Sequence, residues 1–78
     1  MKISKITGTS CEIYFWLDTG ETVIGNGELL INGFVVYDSS LKFKSTNVSL
    51  TIEQTAELKK MVRSYKPKSN FRVEFIKG

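Results

Sequence analysis

The segment Glu12-Ile13-Tyr14-Phe15-Trp16-Leu17-Asp18-Thr19-Gly20 decides the fold class. Ile13, Phe15 and Leu17 alternate with Glu12, Tyr14 and Trp16, the period of two by which a strand separates a buried face from an outer one. Asp18-Thr19-Gly20 then supplies chain-reversing residues, so the strand ends in a hairpin loop. On the N-terminal side, Ile3 and Ile6 lie in a short extended segment that stops at the turn-forming Thr7-Gly8-Thr9-Ser10. On the C-terminal side, Thr22-Val23-Ile24 returns as the next strand, Gly25-Asn26-Gly27 permits a bulge or sharp bend, and Glu28 to Ile31 resumes the extended pattern. Asn32-Gly33 reads as the centre of a type I′ turn with both residues at positive φ, and Phe34-Val35-Val36-Tyr37 as the returning strand. Asp38-Ser39-Ser40 interrupts it before Leu41-Lys42-Phe43-Lys44, where apolar and basic residues alternate.

The pattern changes at Thr51-Ile52-Glu53-Gln54, which has the form of a capping box and predicts a helix start. Leu58, Met61, Val62 and Tyr65 fall at i, i+3, i+4 and i+7, a single apolar stripe, while Lys59, Lys60, Arg63 and Lys66 lie off it. Glu53 in the first turn and Arg63 and Lys66 near the end complement the helix dipole, and Pro67 is the expected terminator. Asn70 to Ile76 reads as a last strand, with Phe71, Val73 and Phe75 on one face and Arg72, Glu74 and Ile76 on the other. The expected class is α+β: an antiparallel meander sheet of about five to six strands, one amphipathic helix packed on one face, and a C-terminal strand. Ile13, Phe15, Leu17, Val62 and Phe75 are the expected shared core.

The chain has 78 residues, 41% of them apolar and 24% charged, with a formal net charge of +3. That suits one small domain spanning 1–78. Such a chain buries only about 60% of its unfolded surface, which leaves little stability for a deep catalytic cleft. With no His, the Ser-His-Asp and Cys-His nucleophiles and His-ligated zinc are closed. The single cysteine, Cys11, has no partner for an intrachain disulfide and is expected to be a small buried or half-buried hydrophobe near a strand start. The N-terminal Met1-Lys2-Ile3-Ser4-Lys5 lacks the apolar run of a signal peptide, and no stretch reaches the ~18 apolar residues of a membrane span. A cytoplasmic protein without a membrane partner, metal or other cofactor is expected, and not an enzyme.

Gly25-Asn26-Gly27 lacks the later glycine of a dinucleotide fingerprint and the Gly-Lys-Ser/Thr of a P-loop, so its role is read as structural. Asp18, Glu21 and Glu28 fit no calcium-loop spacing and are read as solvated hairpin ends. Charge is uneven: residues 1–40 carry two basic and five acidic side chains, residues 41–78 nine basic and three acidic. Such polarity marks either a surface for an anionic partner or a solvated helix face and tail.

The outer row of the strands is the more informative pattern. If Ile13, Phe15 and Leu17 face the helix, Tyr14 and Trp16 face the other side of the sheet, where no second layer is predicted. Lys42 and Lys44, alternating with inward Leu41 and Phe43, can share that face with Tyr37. Rings interleaved with lysines suit single-stranded nucleic acid, whose bases stack while ammonium groups meet phosphates, and equally suit a protein hot spot. Folding of the row into a second small core, or a homodimer interface, is the alternative. Tyr14, Trp16, Tyr37, Lys42 and Lys44 are the partner-binding candidates. Lys59, Lys60 and Arg63 are candidates for contacts with phosphate or an acidic partner.

Gly27 through Lys42, GELLINGFVVYDSSLK, resembles the central segment of the immunity protein 74 family of bacterial polymorphic toxin systems. Ile6-Thr7-Gly8-Thr9 and Ser69-Asn70-Phe71-Arg72-Val73-Glu74-Phe75 are similar to that family's two ends, in the right order and at about the right length. After Lys44 the chain departs from it, carrying Ser45-Thr46-Asn47-Val48 where a Trp-Glu-Pro-Pro-like stretch is expected. The resemblance implies a cytoplasmic protein that binds and neutralises a cognate toxin without catalysis of its own, and it assigns no binding residues. Val48-Ser49-Leu50-Thr51-Ile52-Glu53-Gln54, running into Leu58 and Lys59-Lys60, resembles the strand-to-helix entry of PC4-type single-stranded-DNA-binding coactivators. That second resemblance implies a single-stranded nucleic-acid-binding module; the aromatic and basic pattern would then use Tyr14 and Trp16 for stacking on bases and Lys42, Lys44, Lys59, Lys60 and Arg63 for phosphates.

Overall fold

A computed structural model describes residues 2–65 and 72–77. In chain order they form β1 (Ile3–Gly8), β2 (Glu12–Leu17), β3 (Thr22–Leu30), β4 (Gly33–Tyr37), a short 3-10 turn (Asp38–Ser40), β5 (Lys42–Phe43), α1 (Ile52–Ser64) and β6 (Arg72–Ile76). The sheet order is β1-β2-β3-β4-β6, with β5 also paired to β3. The class is α+β, with one helix on a curled sheet and a C-terminal strand. In one respect the expected meander is corrected: β6 pairs with β4 in parallel, so the sheet is mixed. The helix is the reason, because a helical crossover lets the next strand enter alongside an earlier one in the same direction, which a tight hairpin cannot do.

β3 is long because it serves two neighbours in succession. Its first half lies between β2, with Phe15 opposite Val23, and β5, with Phe43 opposite Val23. Its second half pairs with β4, Gly27 opposite Val36. Between β4 and β5 the chain steps out of the ladder at the 3-10 turn. There the Ser40 hydroxyl substitutes for the missing backbone, accepting from Asn26 N at 2.8 Å and donating to Tyr37 O at 2.6 Å.

The β2–β3 loop is the expected one, with Gly20 at φ 94°. The β3–β4 loop is not. Leu30 pairs with Gly33, so Ile31 and Asn32 form the loop, and neither Asn32 nor Gly33 has positive φ. The hairpin is therefore not type I′. Gly33 serves a different need: a Cβ there would collide with the carbonyl oxygen of Arg72, so its absence lets β6 approach β4. Cys11 is also corrected. It is exposed: β2 begins one residue later, and Cys11 lies in the preceding turn, where Thr9 Oγ1 accepts from Glu12 N at 3.1 Å while the Cys11 carbonyl accepts from Gly27 N at 3.0 Å.

The core sits between the sheet and α1. Ile13, Phe15, Val23, Phe34, Val36, Leu41 and Leu58 are fully buried, with Leu17 beside them. Burial of an aliphatic or Phe side chain of this kind is worth about 1.5–3 kcal/mol each before entropy is counted. Met61, Val62, Tyr65, Val73 and Phe75 pack partly buried against this cluster, and the Phe15 and Phe75 rings stack with centroids 6.1 Å apart. The capping box is present: Thr51 Oγ1 accepts from Gln54 N at 3.1 Å and Gln54 Oε1 accepts from Thr51 N at 2.9 Å. Ser64 ends the helix, with Tyr65 already extended. Lys66, Pro67, Asn70 and Phe71, named in the sequence reading, lie outside the described residues. No helix among the described residues is long and apolar enough to cross a membrane.

Candidate binding face on the outer side of the sheet

With Ile13, Phe15 and Leu17 turned to the core, Glu12, Tyr14 and Trp16 project from the opposite side of β2, where no second layer covers them among the described residues. Cross-strand register assembles the rest of the face. Tyr14 lies between Thr7 on β1 and Ile24 on β3, and Trp16 between Lys5 and Thr22. Lys42 stands opposite Ile24, and Lys44 is drawn alongside by its N–H, which donates to Thr22 O at 2.9 Å.

The face is pre-ordered. Trp16 Nε1 donates to Thr7 Oγ1 at 2.8 Å, which fixes the indole and satisfies its one polar atom. The Lys5 ammonium lies 4.6 Å from the Trp16 ring centroid, and Lys44 Nζ stands 5.8 Å from Trp16 and 5.9 Å from Tyr14. These are cation–π distances, and they set positive charge around an apolar surface. Tyr14 and Trp16 are half-buried. Among the described residues Lys5, Lys42 and Lys44 make no ion pair. The Tyr14 hydroxyl donates to Glu12 Oε1 at 3.3 Å. The negative charge of Glu12, followed by burial, holds the phenol above its ordinary pKa, so it stays protonated well into alkaline solution.

Of the residues singled out from sequence, Tyr14, Trp16, Lys42 and Lys44 are brought together. Tyr37 is exposed but stands further along the sheet, opposite Ile76 of β6. Lys59 is engaged within the fold: its ammonium pairs with Asp38 Oδ2 at 2.9 Å and lies 5.7 Å from the Phe75 ring centroid. Lys60 and Arg63 are exposed on α1, across the sheet from Trp16. The two basic groups therefore occupy opposite sides of the molecule.

Sequence reasoning missed Lys5 and Thr7. A register shift between Ile3 and Lys5 places Lys5 beside Trp16 on the outer face while Ile3 and Ile6 both turn inward. The signal was present as two isoleucines three apart in one strand, a spacing no regular strand can bury on one side.

The described residues hold no cluster of three His, Cys, Asp or Glu side chains placed for a metal. The arrangement suits recognition: a fixed apolar surface, one carboxylate and a margin of unpaired ammonium groups. Compared with known protein families, characterised proteins and solved structures, the chain matches none.

Proposed function

We propose that the chain is a non-catalytic binding module that captures a partner protein on the Tyr14/Trp16 face, and that, following its resemblance to immunity proteins, this partner is a bacterial toxin that it neutralises. The observation that carries the reading is Trp16 itself. It is a half-buried indole on an uncovered sheet face, held by Thr7 and flanked by Lys5 and Lys44. Ordered tryptophan and tyrosine surrounded by charge is the composition of an interface hot spot, where apolar contact supplies affinity and charges set orientation.

A single-stranded nucleic acid is the second reading, supported by Lys5 and Lys44 over the two rings and Lys42 beside them, none of which makes an ion pair among the described residues. Two features favour protein over it. Glu12 places a carboxylate within the face, which a polyanion would meet unfavourably. The second basic group, Lys60 and Arg63, lies on the other side of the sheet, out of reach of a strand stacked on Trp16.

Co-expression tests the first reading. The chain should protect cells from the toxin encoded beside its gene, and Trp16→Ala, shown folded by circular dichroism, should lose that protection. Failure to protect against any neighbouring toxin, combined with tight, salt-dependent binding of a labelled ~20-nucleotide strand, would replace it with the second.

A further inference from the structure

On the core side of the sheet, below the N-terminal half of α1, packing leaves a cavity of about 120 Å³ lined by the apolar side chains of Leu17, Val23, Phe43, Leu50, Leu58 and Met61. Its size approaches the roughly 150 Å³ of an apolar cavity known to stay dry and take up benzene. Three polar side chains complete the lining: Glu21, Gln54 and Glu57. Gln54 is committed to the helix cap. Glu21 and Glu57 are exposed, and among the described residues neither makes an ion pair. Lys60 and Lys2 border Glu57 on a neighbouring surface groove and do not line this cavity. The positive end of the helix dipole is answered by Glu53 in the first turn and by the capping box. Glu21 and Glu57 are therefore the charged side chains that line the cavity among the described residues.

We propose that this cavity is a binding site for a small organic amine, whose alkyl group of about four to six carbons fills the apolar interior while its ammonium is held at the mouth between Glu21 and Glu57. Apolar lining selects a hydrocarbon body, because a polar group inside would lose its water with no partner to replace it. The carboxylates select the head group: an ammonium is attracted by both, an acid of the same length is repelled by both, and an alcohol meets neither effect. The site lies across the sheet from Trp16 and does not depend on the partner reading.

Pentylamine, pentanol and pentanoate are the probes, titrated into isotope-labelled protein while backbone amide shifts are followed. Pentylamine should shift the amides of Leu17, Val23 and Leu58 saturably, leave those of Tyr14 and Trp16 in place, and bind at least about threefold more tightly than pentanol, with pentanoate weakest. The double variant Glu21→Gln/Glu57→Gln should bind pentanol as before, which shows the cavity intact, and should lose the preference for the amine. Absence of saturable shifts with all three probes, equal binding of amine and acid, or an amine preference that survives the double substitution would each overturn the proposal.

Discussion

Replacing Gly25 and Gly27 with alanine, one at a time, separates two kinds of close packing along β3. A Cβ on Gly25 would collide with Val36 Cγ2 and stand 3.0 Å from Leu41 Cδ2 and 3.3 Å from Ile13 Cγ2, all side-chain atoms. A Cβ on Gly27 would collide with the backbone oxygen of Val35 and stand 2.8 Å from its carbonyl carbon. For Gly25→Ala, overpacking costs about 1–3 kcal/mol, and the reduced freedom of the unfolded chain returns about 0.5–1 kcal/mol, for a net loss of about 1–2 kcal/mol. Val36→Ala alone costs about 2–3 kcal/mol as a buried cavity. In the double variant the new methyl enters the space that Val36 vacates, so its cost should fall short of the sum by about 1 kcal/mol or more. Gly27→Ala has no such remedy, because the obstacle is the neighbouring strand's backbone and β3 and β4 must part; at least about 2–3 kcal/mol should be lost. A 78-residue domain has roughly 4–12 kcal/mol in total, so this variant should lose a substantial share of its stability. Urea unfolding followed by emission of Trp16, the sole tryptophan, measures all four proteins. Strict additivity of Gly25→Ala and Val36→Ala, or a Gly27→Ala protein within about 0.5 kcal/mol of the parent, would refute the reasoning.

Other substitutions probe individual contacts. Ser40→Ala removes the hydroxyl that bridges Asn26 N and Tyr37 O, and should cost about 1 kcal/mol with faster hydrogen exchange at the Asn26 amide; unchanged exchange would show the bridge to be idle. Lys59→Met removes the ammonium that pairs with Asp38 Oδ2 while the second oxygen, Oδ1, is buried with no hydrogen-bond partner among the described residues, and should cost about 1 kcal/mol in low salt. Adding Asp38→Ala should then cost less than it does alone, which a double-mutant cycle checks. Because Glu12 raises the Tyr14 pKa, the folded state holds the phenol proton more tightly than the unfolded state does. That contribution to stability is complete below the ordinary phenol value near 10 and is lost as pH rises through the folded value. Glu12→Gln should lower the Tyr14 midpoint in an ultraviolet titration and lessen the alkaline loss of stability; an unmoved midpoint would remove Glu12 as the cause.

The parts of the fold that local chemistry dictates were legible. The alternation across β2 set the inner and outer faces, and Thr51 with Gln54 set the helix start, because each is decided by residues within one turn or one strand. What escaped depends on distant backbone. Gly33 reads as a turn residue until β6 is seen against it, since its requirement comes from Arg72, 39 positions away. The parallel entry of β6 escaped for the same reason, as strand direction after a helix is fixed by where the crossover ends. Of the candidate binding face, Tyr14, Trp16, Lys42 and Lys44 followed from parity alone. Lys5 required the register shift in β1, and the engagement of Lys59 within the fold required knowledge of Asp38, which pairs with it.

We place Trp16 at the centre of a proposed protein-binding face. Fluorine NMR of the protein carrying fluorotryptophan tests it most directly, because a chain with a single tryptophan gives a single resonance. Adding the proposed partner, a toxin found by its gene's position beside this one, should shift that resonance by a saturable amount at physiological salt, while a ~20-nucleotide single strand at the same salt should leave it in place. A resonance that moves with the oligonucleotide and not with the toxin would contradict the account and assign the face to nucleic acid.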